Sequence, residues 1–151
     1  MVTLAATQSH FEDAMNDVLE LEYDALEAYK TAIHKLENKE YQNQLKEFRA
    51  DHEKHIKEIS SLLKSKNIKP VSGPDSGKQW LAKGKVHLAN LFGDKAILQA
   101  MISNEKDTNT AYERILTHKH RWSEAHDTLL SALEDEEYHK DWLEQTVASL
   151  S

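Results

Sequence analysis

Residues 67–78 read Asn67-Ile68-Lys69-Pro70-Val71-Ser72-Gly73-Pro74-Asp75-Ser76-Gly77-Lys78, and this stretch decides the fold. It holds both prolines of the chain and two of its four glycines. Proline lacks a backbone N–H, and glycine costs a helix about 1 kcal/mol against alanine, so no helix runs through it. The flanks carry few breakers and repeat apolar residues at helical spacing. Before the stretch, Ser9 and Glu12 form a predicted capping box. From there Val18, Leu21, Ala25, Tyr29, Ile33 and Leu36 make one stripe. Asn38 is placed to cap a second helix, striped by Leu45, Phe48, Ile56, Ile59 and Leu63. After it, Trp80 to Phe92 reads as a short helix ended by Gly93, with Trp80, Leu88, Leu91 and Phe92 packing it on the rest. Asp94 is placed to cap the next long helix, with Ile97, Leu98, Met101, Tyr112 and Ile115 inward. A break at His118–Arg121 precedes Trp122, Ala125, Leu129, Leu133, Leu143 and Val147 on the last.

The predicted helices span 9–37, 39–66, 79–92, 94–118 and 121–149, within a single domain over residues 1–151. Two short breaks give two antiparallel hairpins. About 30 residues separate the hairpins, enough to travel the length of a bundle. Two hairpins joined by one long crossover containing a short helix is the ferritin-like variant of the all-α four-helix bundle. Composition agrees: 30% of residues are charged, 39% hydrophobic, and the chain has no cysteine. Disulfides, thiolate metal sites and cysteine nucleophiles are therefore excluded. The net charge of −7 disfavours nucleic acid as a partner. No apolar run approaches the ~20 residues of a membrane span, and no signal peptide is read, so a cytoplasmic location is expected.

Each stripe is apolar except near its middle. Glu22 interrupts the first, His52 and His55 the second, Glu105 the third, Glu136 and His139 the fourth. Glu22 precedes the first turn by about as many residues as His55 follows it. At 1.5 Å per residue the two meet about 25 Å from that turn. The same arithmetic levels Glu105 with Glu136 across the second turn. An internal repeat reinforces the pattern: Glu22-x6-Tyr29 matches Glu105-x6-Tyr112, and Asp51-His52-Glu53-x-His55 matches Asp135-Glu136-Glu137-x-His139. Residues at i and i+3 share a helix face, so each hairpin offers carboxylate oxygen and imidazole nitrogen to one ion. That donor set suits Fe, Mn or Zn. Without metal, three buried carboxylates repel one another or take up protons. The bland alternative is a buried polar network with Tyr29 and Tyr112.

Other motifs carry less. His52-Glu53-Lys54-His55 is one residue short of a zincin motif, and Glu53 points away from His52. Gly73-x3-Gly77-Lys78 lacks the spacing of a phosphate loop. His118 and His120 read as connector residues, and His10, His34, His87 and His126 fall off the polar level. Trp142 flanks the fourth stripe, where it covers core or serves a homodimer surface.

With Glu22, Glu105 and Glu136-x-x-His139 in place, the chain resembles the ferritin-like superfamily, most closely its small rubrerythrin-like bacterial members. The resemblance covers residues 9–150. It implies a di-iron carboxylate centre, with manganese or zinc as substitutes, that oxidises Fe(II) with dioxygen or peroxide in iron handling or oxidative-stress defence. It further implies that Glu22 and His55 bind one metal and Glu105 and His139 the other. Glu136 then bridges, His52 completes the first metal's shell, and Tyr29 and Tyr112 stand behind the ligands. His52 departs from the family pattern, which has a bridging glutamate there. Two metals, or one held by His52, His55, His139 and a glutamate, remain open, as does a non-catalytic stress or interaction module.

Overall fold

The computed structural model describes residues 3–74, 88 and 90–150. Among the described residues four long helices form an all-α bundle: α1 (Phe11–Lys35), α2 (Lys39–Ser65), α3 (Asp94–Leu116) and α4 (His126–Ser149). A 3-10 turn, Ser123–Ala125, leads into α4. The expected short helix over 79–92 and Trp80 lie largely outside the described residues. Leu88 is buried, whereas Phe92 is 86% exposed, so its expected packing on the bundle is corrected. Its ring lies instead beneath the Lys35 ammonium.

The turn between α1 and α2 shows why the hairpin closes where it does. Asn38 caps α2 as expected, its side-chain oxygen accepting from the backbone N–H of Glu40 and Tyr41. The Gln42 amide donates back to the carbonyls of Ile33 and Leu36, satisfying the end of α1. Asp94 does not cap α3. Gly93, at φ +92°, takes that place, and a side chain there would be strained. Asp94 is the first residue of α3, and its carboxylate accepts from the N–H groups of Glu37 and Asn38 at 2.8 and 3.0 Å.

That contact also fixes direction. The start of α3 lies at the end of α1, so these two helices run antiparallel. At the opposite end, the Arg114 guanidinium on α3 donates to the carbonyls of Thr3 and Ala5. The end of α2 lies at that same end, since the Val71 N–H donates to Asn16 on α1 and Lys66 pairs with Glu124. The end of α2 and the start of α3 therefore lie at opposite ends of the bundle.

Two helix starts differ from the sequence reading. The Ser9–Glu12 capping box is not made. His10 is the N-cap of α1, with no side-chain bond, and its carbonyl accepts from Asp13 and Ala14. The segment before it is already fixed: Ala5 and Ala6 are buried, and the Ala6 N–H donates to Asp17. At the other hairpin, Trp122 precedes α4, and its ring packs edge-on against Phe11. The apolar rule for the first stripe also fails in part, because Asp17, Glu20 and Asp24 are buried on α1 beside Glu22.

The core has two halves. One gathers Phe11, Met15, Leu19, Ile59, Leu63, Tyr112, Ile115 and Leu129. The other gathers Tyr29, Leu45, Phe48, Ile97, Leu98, Met101 and Leu143. A polar layer separates them, so the candidate site is closed by hydrocarbon above and below.

Candidate metal centre

All six expected ligands meet in that layer. Glu22, His52, Glu105, Glu136 and His139 are fully buried, and His55 is 1% exposed. All four helices contribute, and the i,i+3 spacing on α2 and α4 brings two side chains inward from each. Two groups of possible ligand atoms result, with the atoms of each within 4.8 Å of one another. The first is Glu22, His52, His55 and Glu136; the second is His52, Glu105, Glu136 and His139.

Short polar distances show how the groups are built. His52 Nδ1 and His55 Nδ1 each lie 2.6 Å from one oxygen of Glu22. Glu136 Oε1 lies 3.4 Å from His52 Nδ1 and 3.2 Å from His55 Nδ1. On the other side, His52 Nε2 lies 3.3 Å from Glu105 Oε1. His139 Nδ1 is 3.5 Å from Glu105 Oε1 and 3.4 Å from Glu136 Oε2. The tyrosines cross between the hairpins. Tyr29 donates to Glu105 at 2.5 Å and Tyr112 donates to Glu22 at 2.8 Å. Burial and the adjacent glutamates raise both phenols well above their ordinary value, so they remain protonated donors. Thr108, where no carboxylate stands, places its hydroxyl 3.2 Å from both Glu105 and Glu136, with a single proton to give to one of them. The Asn109 amide donates to the backbone carbonyls of Glu105 and Glu136, tying α3 to α4 at this level.

Two residues with no role in the sequence reading matter here. Asp135 on α4 accepts from His55 Nε2 at 2.9 Å, and Asp51 on α2 accepts from His139 Nε2 at 2.7 Å. Each aspartate thus reaches across the bundle to the opposite helix's histidine. A carboxylate can only accept, so it keeps the proton on Nε2 and turns Nδ1 inward. The Lys54 ammonium steadies Asp135 at 3.0 Å. Both aspartates were visible in the repeat, directly before His52 and Glu136, but their reach depends on interhelical geometry.

Charge dominates the chemistry. Burial disfavours the charged form of each histidine, yet the glutamates overcome it. His52 rises to about 10, through Glu136 and Glu22. His55 rises to about 11 through Glu22 and Glu136, and His139 to about 12 through Asp51, Glu105 and Glu136. Burial raises Glu22 and Glu105, but the histidines hold both well below the usual carboxylate range. Glu136 is the exception: burial and the nearby Glu105 charge push it up to about 7. Its Oε1 and the His139 Nδ1 have no hydrogen-bond partner. Buried polar atoms without such a partner, one in each donor group, are what a cation would satisfy. The donor set of oxygen and nitrogen fits Fe, Mn or Zn.

Fold and centre together define a four-helix-bundle protein with a sealed layer of histidine and glutamate able to hold metal. A family model described as a domain of unknown function, DUF2383, matches residues 10–118, and the chain belongs to that family. The match ends before α4, which carries Glu136 and His139. No curated protein and no solved structure matches the chain. Among the described residues, no helix is long and apolar enough to cross a membrane.

Proposed function

We propose that this chain is a ferritin-like dimetal protein that binds two iron ions and uses them in iron oxidation or oxidative-stress defence, in the cytoplasm. The observation that carries the reading is the pair of overlapping donor groups, each with two imidazoles and two carboxylates, sealed between two halves of the core. Glu22 and His55 serve one ion, and Glu105 and His139 the other. Glu136 offers one oxygen to each. Bound iron would supply the electrons that reduce dioxygen or peroxide. The chain's own part is to hold and insulate the pair. Asp51 and Asp135 orient two imidazoles, the tyrosine hydroxyls steady two carboxylates, and the apolar halves keep bulk water out. These residues contain no cysteine, so they hold no thiolate-bound iron centre to pass electrons.

The test is reconstitution with Fe(II) under anaerobic conditions, followed by metal analysis and oxygen-electrode measurement. Two irons per chain and Fe(II)-dependent oxygen uptake are expected. A chain that retains no metal after reconstitution would overturn the proposal and leave a hydrogen-bonded polar core.

A further inference from the structure

His52 differs from the other two histidines. His55 and His139 each turn one nitrogen outward to an aspartate, leaving a single nitrogen for the layer. His52 has no such aspartate, and both of its nitrogens face inward. Nδ1 joins Glu22, His55 and Glu136, while Nε2 faces Glu105 on the side of His139. Its ring is held between Tyr29, at 4.8 Å, and His139, at 5.2 Å, measured between ring centres. In the repeat, His52 aligns with Glu136. Glu136 divides its two oxygens the same way, Oε1 toward His52 and His55 and Oε2 toward His139 and Thr108.

We propose that His52 bridges the two metal ions, one bound at each ring nitrogen. This rests on the dimetal reading above and makes it more specific. Each nitrogen donates a lone pair to one ion. The ring gives up its N–H protons to solvent, and no electrons are exchanged. Because the nitrogens sit on opposite edges of the ring, the ions stand further apart than the ~3.5–4 Å usual in two-metal sites. Imidazole in the place of a bridging carboxylate is then a spacer.

Zn(II) is a suitable probe because it is diamagnetic and matches the donor set. The experiment loads the full chain with Zn(II), counts zinc per chain, and records ring 1H–15N correlations with 15N-histidine labelling. The expected result is two zincs per chain and complete loss of ring N–H signals from His52, with His55 and His139 each keeping the one bonded to aspartate. Two zincs with an N–H retained on His52 would overturn the bridge and leave the dimetal reading standing. One zinc, or none, would overturn both.

Discussion

Glu136→Gln separates a metal centre from a structural polar network. The substitution keeps the shape and one oxygen facing Thr108, removes the charge, and turns the other oxygen into an N–H donor. In the wild type, burial and Glu105 raise this carboxyl from 4.5 to about 7. A raised carboxyl favours folding while it is protonated. The penalty is therefore absent below pH 4.5, grows between pH 4.5 and 7, and is complete above pH 7. At about 1.4 kcal/mol per pH unit, holding the ion inside the bundle costs about 3 kcal/mol at pH 8. Removing it should raise the melting temperature of metal-free protein by roughly 6–12 °C at pH 8, and by little at pH 4.5. With metal the order should reverse, because the wild type gains binding energy that the variant loses. Melting curves of chelator-treated and metal-loaded proteins at both pH values provide the assay. If metal-free Glu136→Gln is less stable than wild type at pH 8, the carboxylate is part of a stabilising network and the reasoning fails.

Other expectations follow from the same geometry. Asp51→Ala and Asp135→Ala should each weaken metal binding by roughly ten- to hundredfold in chelator competition with the fold retained, since each orients one imidazole from a partly exposed position. Unchanged affinity would remove their orienting role. Metal affinity should rise with pH between 6 and 9, because imidazoles raised to about 10–12 must release protons to bind. Calorimetry in buffers of differing ionisation enthalpy reads that release, and a flat profile would contradict it. Asp94→Ala should cost about 1–2 kcal/mol in urea denaturation without altering metal stoichiometry, because it frees the two N–H groups in the α1–α2 turn.

The six layer residues were legible because helical periodicity is a one-dimensional signal. A polar residue on an apolar stripe is visible, and equal distances from a turn put two such residues level. The cap by Asn38 was legible for the same reason, since its partners lie two and three residues away. What failed depends on contacts distant in sequence. Asp94 looked like a local cap, but its acceptor capacity goes to Glu37 and Asn38, more than 50 residues away. The Ser9 cap lost to an N-terminal segment pinned by Arg114 and Asp17. The crossing of Tyr29 to Glu105 and Tyr112 to Glu22 was not readable, because the repeat shows that both pairs exist without showing that they exchange partners. The inward direction of both His52 nitrogens is a matter of ring orientation, on which residue spacing is silent.

We propose that the buried layer holds two metal ions. Anomalous diffraction from crystals grown in Fe(II) or Mn(II) tests it most directly. Two peaks are expected in the layer, one beside Glu22 and His55 and one beside Glu105 and His139, with His52 and Glu136 between them. An ordered layer in which the Glu22–His52 and Glu22–His55 hydrogen bonds persist and no anomalous peak appears would contradict the account.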